Sequence, residues 1–502
     1  MTTTHGTAEL KKRSVVSSFI FNSQNKVALF QRSDKVSTYR HHLAPISGSI
    51  ESTDQSPLAA AWRELSEETT LTSTALTLVR QGKSYTFSDP SVKRKWTIYP
   101  FMFRLKTPAD EQKIKIDWEH EAWGWHDPDQ VIKDDTYIAA KGVPRLAESL
   151  RRVWFETDLG SEAGRILSKG LDTLAHDHQS GARQLATIAL QTLRDVITAL
   201  QNTFSDKKKW WKLIRTAAWH LSKNGRESMG AAITSAILSA LSALESGITA
   251  SESHQFPTNI LNNIITARSH SITALTTTFQ SFLSNNFPSS PISLLTLSES
   301  STISTVLTHP STPTLSIQIL ESRPLFEGIS LASSLLSSSS PHKITLLPDT
   351  SPSLACSDKN LDIILIGADR VSSTRNVLNK MGSLPAILTA KFFCPKVKVV
   401  VLCETEKIAP PGMEDSGGEE ENDSELVSRA WEAGYNSERV REGAKLVKER
   451  GDEVKVRNVF FEWVPSELVD VYVTEKGVWT VKEIEGRAGE LGKEMEDMFG
   501  DL

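Results

Sequence analysis

At 502 residues the chain exceeds what one ordinary hydrophobic core organises, so two or three domains are expected. Its composition, 39% hydrophobic and 23% charged, is that of a soluble globular protein, and a formal net charge of −5 gives no electrostatic reason to expect nucleic acid as a partner. Cys356, Cys394 and Cys403 fit neither a disulfide framework nor a zinc site, the amino-terminal segment lacks a secretory pattern, and no uninterrupted apolar run reaches bilayer length, so a cytoplasmic protein with no membrane partner is expected.

From Arg13 to about Val153, short apolar runs alternate with turn residues. VVSSFIF and KVALFQRS read as strands joined by NSQN, and TLVRQGKSYTF and KWTIYPFMFRL as two more separated by SDPSVKRK. A helix is predicted between these pairs, starting at Ser56-Pro57, and another at VPRLAESLRRVWF. Strands around one central helix make an α+β domain over residues 1–155. Residues 156–262 then carry apolar side chains at helical spacing, as in GARQLATIALQTLRDVITALQ, KKKWWKLIRTAAWHLSKNG and RESMGAAITSAILSALSALES, which predicts a helical subdomain.

Residues 263–502 begin rich in serine and threonine, yet ISLLTL, ISTVLTH and LSIQILES have strand length and are read as strands. HKITLLPD, LDIILIGAD, VKVVVLCE and DVYVTE follow, separated by helical patterns such as GISLASSLL and NVLNKMGSLPAILTAKFF. Nearly continuous apolar strands alternating with helices imply an α/β domain with a parallel sheet covered on both faces. The acidic stretch from Pro410 to Glu425 reads as a solvated loop inserted into it.

Two segments carry chemistry. In GSIESTDQSPLAAAWRELSEETTL, Glu64, Glu67 and Glu68 stand at i, i+3 and i+4 on the predicted helix and project from one face. Arg63 relieves only part of their mutual repulsion. A hard divalent cation relieves it better, and carboxylate oxygens suit Mg2+ or Mn2+. Gly48 lets the preceding loop turn toward that ion. The other reading is an ordinary solvated helix face, and the residues alone do not choose between them. The second segment is LDIILIGADRV, whose Asp369 falls at the carboxyl end of a predicted parallel strand, where open α/β sheets bind ligands. Asn379 and Lys380 follow near a helix start suited to phosphate, although Asp369 alone would equally serve to organise its loop.

The first segment resembles the Nudix box, in which a glycine precedes a glutamate and then Arg-Glu-aliphatic-x-Glu-Glu. Gly48, Arg63, Glu64, Leu65, Glu67, Glu68 and Leu71 match; the loop is one residue longer, Gln55 falls where the first glutamate belongs, and Thr70 replaces a glycine. The resemblance implies metal-assisted hydrolysis of a nucleoside diphosphate-linked or related pyrophosphate, with Glu64, Glu67 and Glu68 as ligands. It also implies a further acidic base, for which Glu119 is preferred over Glu121. Trp118, Trp123 and Trp125 nearby are read as core.

GADRVSSTRNVLNKMGS, LESRPLFEG and RNVFFEWVPSELVDVYVTEKGV resemble a superfamily containing the alpha, beta and delta subunits of translation initiation factor 2B, methylthioribose-1-phosphate isomerase and ribose-1,5-bisphosphate isomerase. That implies a Rossmann-like carboxyl-terminal domain, a phosphorylated sugar or nucleotide ligand held by Arg323, Asp369, Asn379 and Lys380, and a homodimer or a translation-factor partner. The isomerases of this group place a cysteine directly after a Thr-His pair; VLTHPST has Pro310 there, which cannot transfer a proton. The expected function is therefore a hydrolase fused to a regulatory or ligand-binding domain. A non-catalytic interaction protein is the alternative, and an active isomerase follows behind both.

Overall fold

The computed structural model describes residues 10–134, 141–177, 180–248, 256–288, 291–338, 342–357, 360–413, 421–451 and 453–502. The chain divides into two compact units. One comprises Met1–Leu171, Asp195–Asn224 and Leu502; the other comprises Asp172–Arg194 and Gly225–Asp501.

In the first unit β1 (Lys11–Phe21) and β2 (Val27–Arg32) pair antiparallel across the NSQN turn, where Asn25 takes a left-handed conformation and Asn22 Oδ1 accepts from the amides of Gln24 and Lys26. The strands β3 (Leu43–Ala44), β4 (Leu76–Gln81), β5 (Tyr85–Asp89), β6 (Arg94–Leu105) and β7 (His120–His126) complete a sheet of order β3-β2-β1-β6-β4, with β7 on β2 and β5 on β6. TLVRQGKSYTF, read above as one strand, is two, β4 and β5, which pair in succession along β6 with an irregular interval at residues 82–84. Among the described strands of this sheet only β1 and β6 run parallel, in register from Lys11↔Arg94 to Phe21↔Arg104.

Alternation along these strands sorts side chains to two faces. Val16, Ile20, Phe101 and Phe103 pack with Ala60, Ala61 and Leu65 of helix α1 (Pro57–Thr69). Phe19, Phe21, Leu29 and Met102 pack on the opposite face with Val131, Ile132, Leu146 and Trp154. The helix Lys207–Lys223 also belongs to this unit.

The second unit is built on a seven-stranded sheet, β10-β9-β8-β11-β14-β16-β17, comprising β8 (Ile292–Leu297), β9 (Leu315–Leu320), β10 (Lys343–Leu347), β11 (Ile363–Gly367), β14 (Lys398–Leu402), β16 (Val471–Thr474) and β17 (Gly477–Trp479). All these pairings are parallel except β16 with β17, and the strand order reverses between β8 and β11. A small antiparallel sheet of β12 (Arg370–Val371), β13 (Val377–Lys380) and β15 (Phe461–Val464) lies beyond β11. Two readings are corrected. ISTVLTH lies in a helix, Ser301–Thr308, whose Ile303, Val306 and Leu307 recur at helical spacing and are all buried. Asn379 and Lys380 sit on β13, and the helix that follows them starts at Ser383.

The helix Gly230–Ile248 is long and apolar enough to cross a membrane, contrary to the expectation that no segment is, and 67% of its apolar window is buried. Part of the acidic Pro410–Glu425 stretch, residues 414–420, lies outside the described residues; Glu421 beside it pairs with Arg457 Nε at 2.6 Å.

Candidate active sites

Helix α1 forms as its residues dictate. Ser56 Oγ accepts from the Ala59 amide at 3.1 Å and Pro57 occupies the first turn. At the other end Thr70 takes φ 61°, and its amide donates to Ser66 O at 3.0 Å. The left-handed turn favoured by glycine is thus retained with threonine, whose hydroxyl donates to Lys113 O at 3.0 Å.

The acids on the helix are organised by two partners. Arg63 donates to Glu64 Oε1 at 2.8 Å, to Glu67 Oε2 at 3.1 Å and to Ser49 O at 3.0 Å. It also grips Asp54 at two points, Nε to Oδ1 at 3.1 Å and Nη2 to Oδ2 at 2.9 Å. The acidic partner that Gln55 does not supply therefore comes from Asp54, one residue earlier, and Gln55 is exposed. Counting forward from Gly48 would have found Asp54; counting back from Arg63 across the lengthened loop leads to Gln55. Gly48 is explained by contact: a Cβ there would stand 1.9 Å from Glu64 Cδ, so the carboxyl group lies against bare backbone.

Glu68 is buried, and its Oε2 lies at hydrogen-bond distance, 2.6 Å, from His120 Nε2. His120 Nδ1 is buried without a partner among the described residues. Burial, then the charges of Glu64 and Glu119, raise the Glu68 pKa well above the usual carboxylate value. Burial raises Glu64 too, against Arg63, and raises Glu119, with Asp117 and Glu64 adding to it. Glu119 thus joins the field of the cluster, while Glu121 turns to an exposed pair with His41 Nδ1 at 3.0 Å. Among the described residues no three His, Cys, Asp or Glu side chains already stand at metal-holding spacing. The donor chemistry fits a hard cation, being carboxylate only, but Glu67 is turned to Arg63. Trp118 is 57% exposed rather than core, whereas Trp123 and Trp125 pack against the α1 side.

In the second unit, a cavity of about 790 Å³ lies at the strand-order reversal and includes Gly367 at the end of β11. Asp369, Asn379 and Lys380 all line it. Arg323 does not: it lines a separate groove with Phe326, Met381 and Arg457, and its Nε pairs with Glu321 at 3.2 Å. Burial raises the Asp369 pKa, opposed by Lys407, Lys380 and Arg226. Lys380 Nζ pairs with Glu327 Oε2 at 2.7 Å, and the same oxygen accepts from Ser298 Oγ at 3.1 Å. Asn379 Nδ2 donates to Ser383 Oγ at 2.8 Å.

Pro310 is not among the residues lining this cavity, so it does not decide the chemistry there. Ser298, with φ 64°, and Ser300 and Ser301 just past β8 line it, and no cysteine among the described residues does. A cysteine acting with Asp369 would belong in this cavity, and a serine hydroxyl does not form the corresponding anion at neutral pH. The cavity's cations Arg183, Arg226, Arg268 and Lys407 come from distant segments without a local motif, which is why the sequence did not single them out.

A model of the initiation factor 2 subunit family matches residues 178–481, and a NUDIX domain model matches residues 11–146. Among curated proteins, the chain is 27% identical over 158 residues to a 5-deoxyribose 1-phosphate isomerase of Bacillus anthracis, covering 32% of this chain and 41% of that one. It is 28% identical over 164 residues to a methylthioribose-1-phosphate isomerase of Geobacillus kaustophilus, covering 33% and 42%. The chain thus spans about two fifths of the length of these relatives. Among solved structures, the Pyrococcus horikoshii OT3 translation initiation factor eIF-2B aligns with a TM-score of 0.42 at 17% identity, over 62% of this chain and 96% of that one. eIF2B beta from Chaetomium thermophilum aligns at 0.46 and 15%, over 67% and 94%.

Proposed function

This chain belongs to the initiation factor 2 subunit family and carries a NUDIX domain, and from that premise we propose a Mg2+- or Mn2+-dependent hydrolase of nucleoside diphosphate-linked or related pyrophosphates, joined to a domain that binds a phosphorylated ligand. The observation that carries the first half is the convergence of Glu64 and Glu119 on the buried Glu68, with Glu64 set against bare backbone at Gly48. Such a cluster is matched to a divalent cation, with Glu64, Glu67 and Glu68 as its ligands. When bound, the cation neutralises pyrophosphate charge and lowers the pKa of an attacking water.

The chain's own groups do the rest. Arg63 aligns Glu64 and Glu67 and is itself held by Asp54. His120 fixes the rotamer of Glu68. Glu119, its proton affinity raised by burial, takes the proton from water. Residues 1–155 are the proposed hydrolase domain. The test is a hydrolysis screen of the full chain with Mg2+ and diphosphate derivatives. Glu67→Gln and Glu68→Gln should abolish turnover and bound Mn2+ together, whereas turnover that survives both variants refutes the reading.

For the second unit the supporting observation is a cavity at a sheet switch point where Lys380, Lys407 and three arginines outnumber the acids Asp369, Glu299 and Glu327. A phosphorylated sugar or nucleotide suits that balance. Isomerase chemistry, the activity named for the Bacillus and Geobacillus relatives, is favoured by Asp369 and disfavoured by Ser298.

A further inference from the structure

The amino-terminal ends of β1 and β6 carry like charges in direct register: Lys11 faces Arg94 and Lys12 faces Lys95, with Arg13 and Lys93 alongside. Opposed like charges weaken a strand pair, so this arrangement is held at a cost to the fold. Strand parity places it on a particular face. Lys12 and Ser14 share the side of Val16, and Lys95 and Thr97 share the side of Phe101, which is the side covered by α1 and its carboxylates. There Lys12, Ser14, Thr86, Lys95 and Thr97 line a cavity of about 380 Å³ with no carboxylate among them. Thr86 and Thr97, directly paired on this face, have hydroxyls 3.3 Å apart.

β1 also connects this cavity to the proposed catalytic loop. Ser14 O accepts from the Ile50 amide and Gly48 O accepts from the Val16 amide, both at 3.0 Å. At about 3.3 Å of rise per residue, Lys12 lies about 13 Å along the strand from the position paired with Gly48. That is the span of a sugar with its phosphate rather than of an adjoining phosphoryl group.

We propose that Lys12 and Lys95 form a specificity subsite for a second phosphate on the substrate, separated from the cleaved diphosphate by a sugar-sized spacer. The proposal rests on the hydrolase reading for the identity of the substrate, while the anion site stands on its own geometry. Lys12 and Lys95 supply charge to an exposed phosphate, and the hydroxyls of Ser14 and Thr97 supply its remaining hydrogen bonds.

The experiment has two arms on the full chain. In EDTA, calorimetry with inorganic tripolyphosphate should show a binding event that weakens at least tenfold in Lys12→Glu/Lys95→Glu, and in the milder Lys12→Gln/Lys95→Gln should folding suffer from reversal. It should persist in Glu67→Gln. With Mg2+, the double variant should raise KM at least tenfold for substrates bearing the distal phosphate, with kcat kept, and leave KM unchanged for substrates lacking it. Loss of tripolyphosphate binding without hydrolysis of any substrate would retain the anion site and remove the hydrolase reading. Equal binding by wild type and double variant, or an equal KM rise for both substrate sets, would overturn the subsite.

Discussion

Asp54 grips Arg63 at two points, Oδ1 to Nε at 3.1 Å and Oδ2 to Nη2 at 2.9 Å, and so holds the guanidinium that holds Glu64 and Glu67. Asp54→Asn should leave the fold intact and lower kcat/KM roughly tenfold to a hundredfold, the range for removing a partner that orients ligands. Gln55→Ala, at an exposed side chain, should change it little. Steady-state kinetics of both variants on one diphosphate substrate checks the pair.

Gly48→Ala probes the same site sterically. Its Cβ would fall 1.9 Å from Glu64 Cδ, and the flexible end of the glutamate must move. Because a displacement of about 1 Å at a reacting centre costs on the order of a hundredfold, activity should fall far more than stability. Thermal melting beside kinetics separates the two effects.

Thr70 strains the helix end. A β-branched residue at φ 61° costs roughly 1–2 kcal/mol, part of it offset by the hydroxyl's bond to Lys113 O. Thr70→Gly should therefore stabilise the protein by up to about 1 kcal/mol, read as a higher urea midpoint with unchanged slope.

Acid should loosen the first unit through His220. The imidazole is buried beside Phe155 and Trp219, and burial, with Arg80 adding to it, pushes its pKa down to about 3. The unfolded chain binds that proton near the ordinary value of 6.5, so stability is full above 6.5 and falls as pH drops toward 3. The slope attributable to this group reaches at most about 1.4 kcal/mol per pH unit. Denaturant titrations of wild type and His220→Gln between pH 7 and pH 4 should show a shallower decline in the variant.

In the second unit, Lys380→Ala should weaken binding of ribose 1-phosphate by roughly ten- to a hundredfold, the loss expected for one charge-assisted hydrogen bond. Wild type should bind the sugar phosphate without converting it to the ketose, because Ser298 occupies the cavity where a thiol would be needed. Calorimetry and an isomerisation assay on the same protein preparation decide both.

Much of this organisation was readable where local rules prevail. The NSQN turn, the Ser56-Pro57 helix start and the apolar strands β8, β11 and β14 follow from short-range signals that the tertiary structure leaves in force. ISTVLTH misled because β-branched residues favour strands while buried positions at helical spacing favour the helix that formed, and packing outweighed propensity. Asp54 was hidden by a one-residue insertion, and His120 by distance: its partner Glu68 is 52 residues earlier in the chain. Arg323 borders a groove neighbouring the Asp369 cavity rather than the cavity itself, because adjacency in a motif does not fix where a side chain points.

The Arg63–Glu67 contact at 3.1 Å has a further effect on loading. Under the proposed metal reading, an ion taking Glu67 as a ligand would exchange places with this guanidinium, and its apparent affinity would be set by that competition. An arginine so displaced would have the Nη1 donor that Glu67 accepted from available to an anionic group of the substrate. Occupancy by cation and by substrate would consequently reinforce each other, and titrating one in the presence of the other should sharpen both curves.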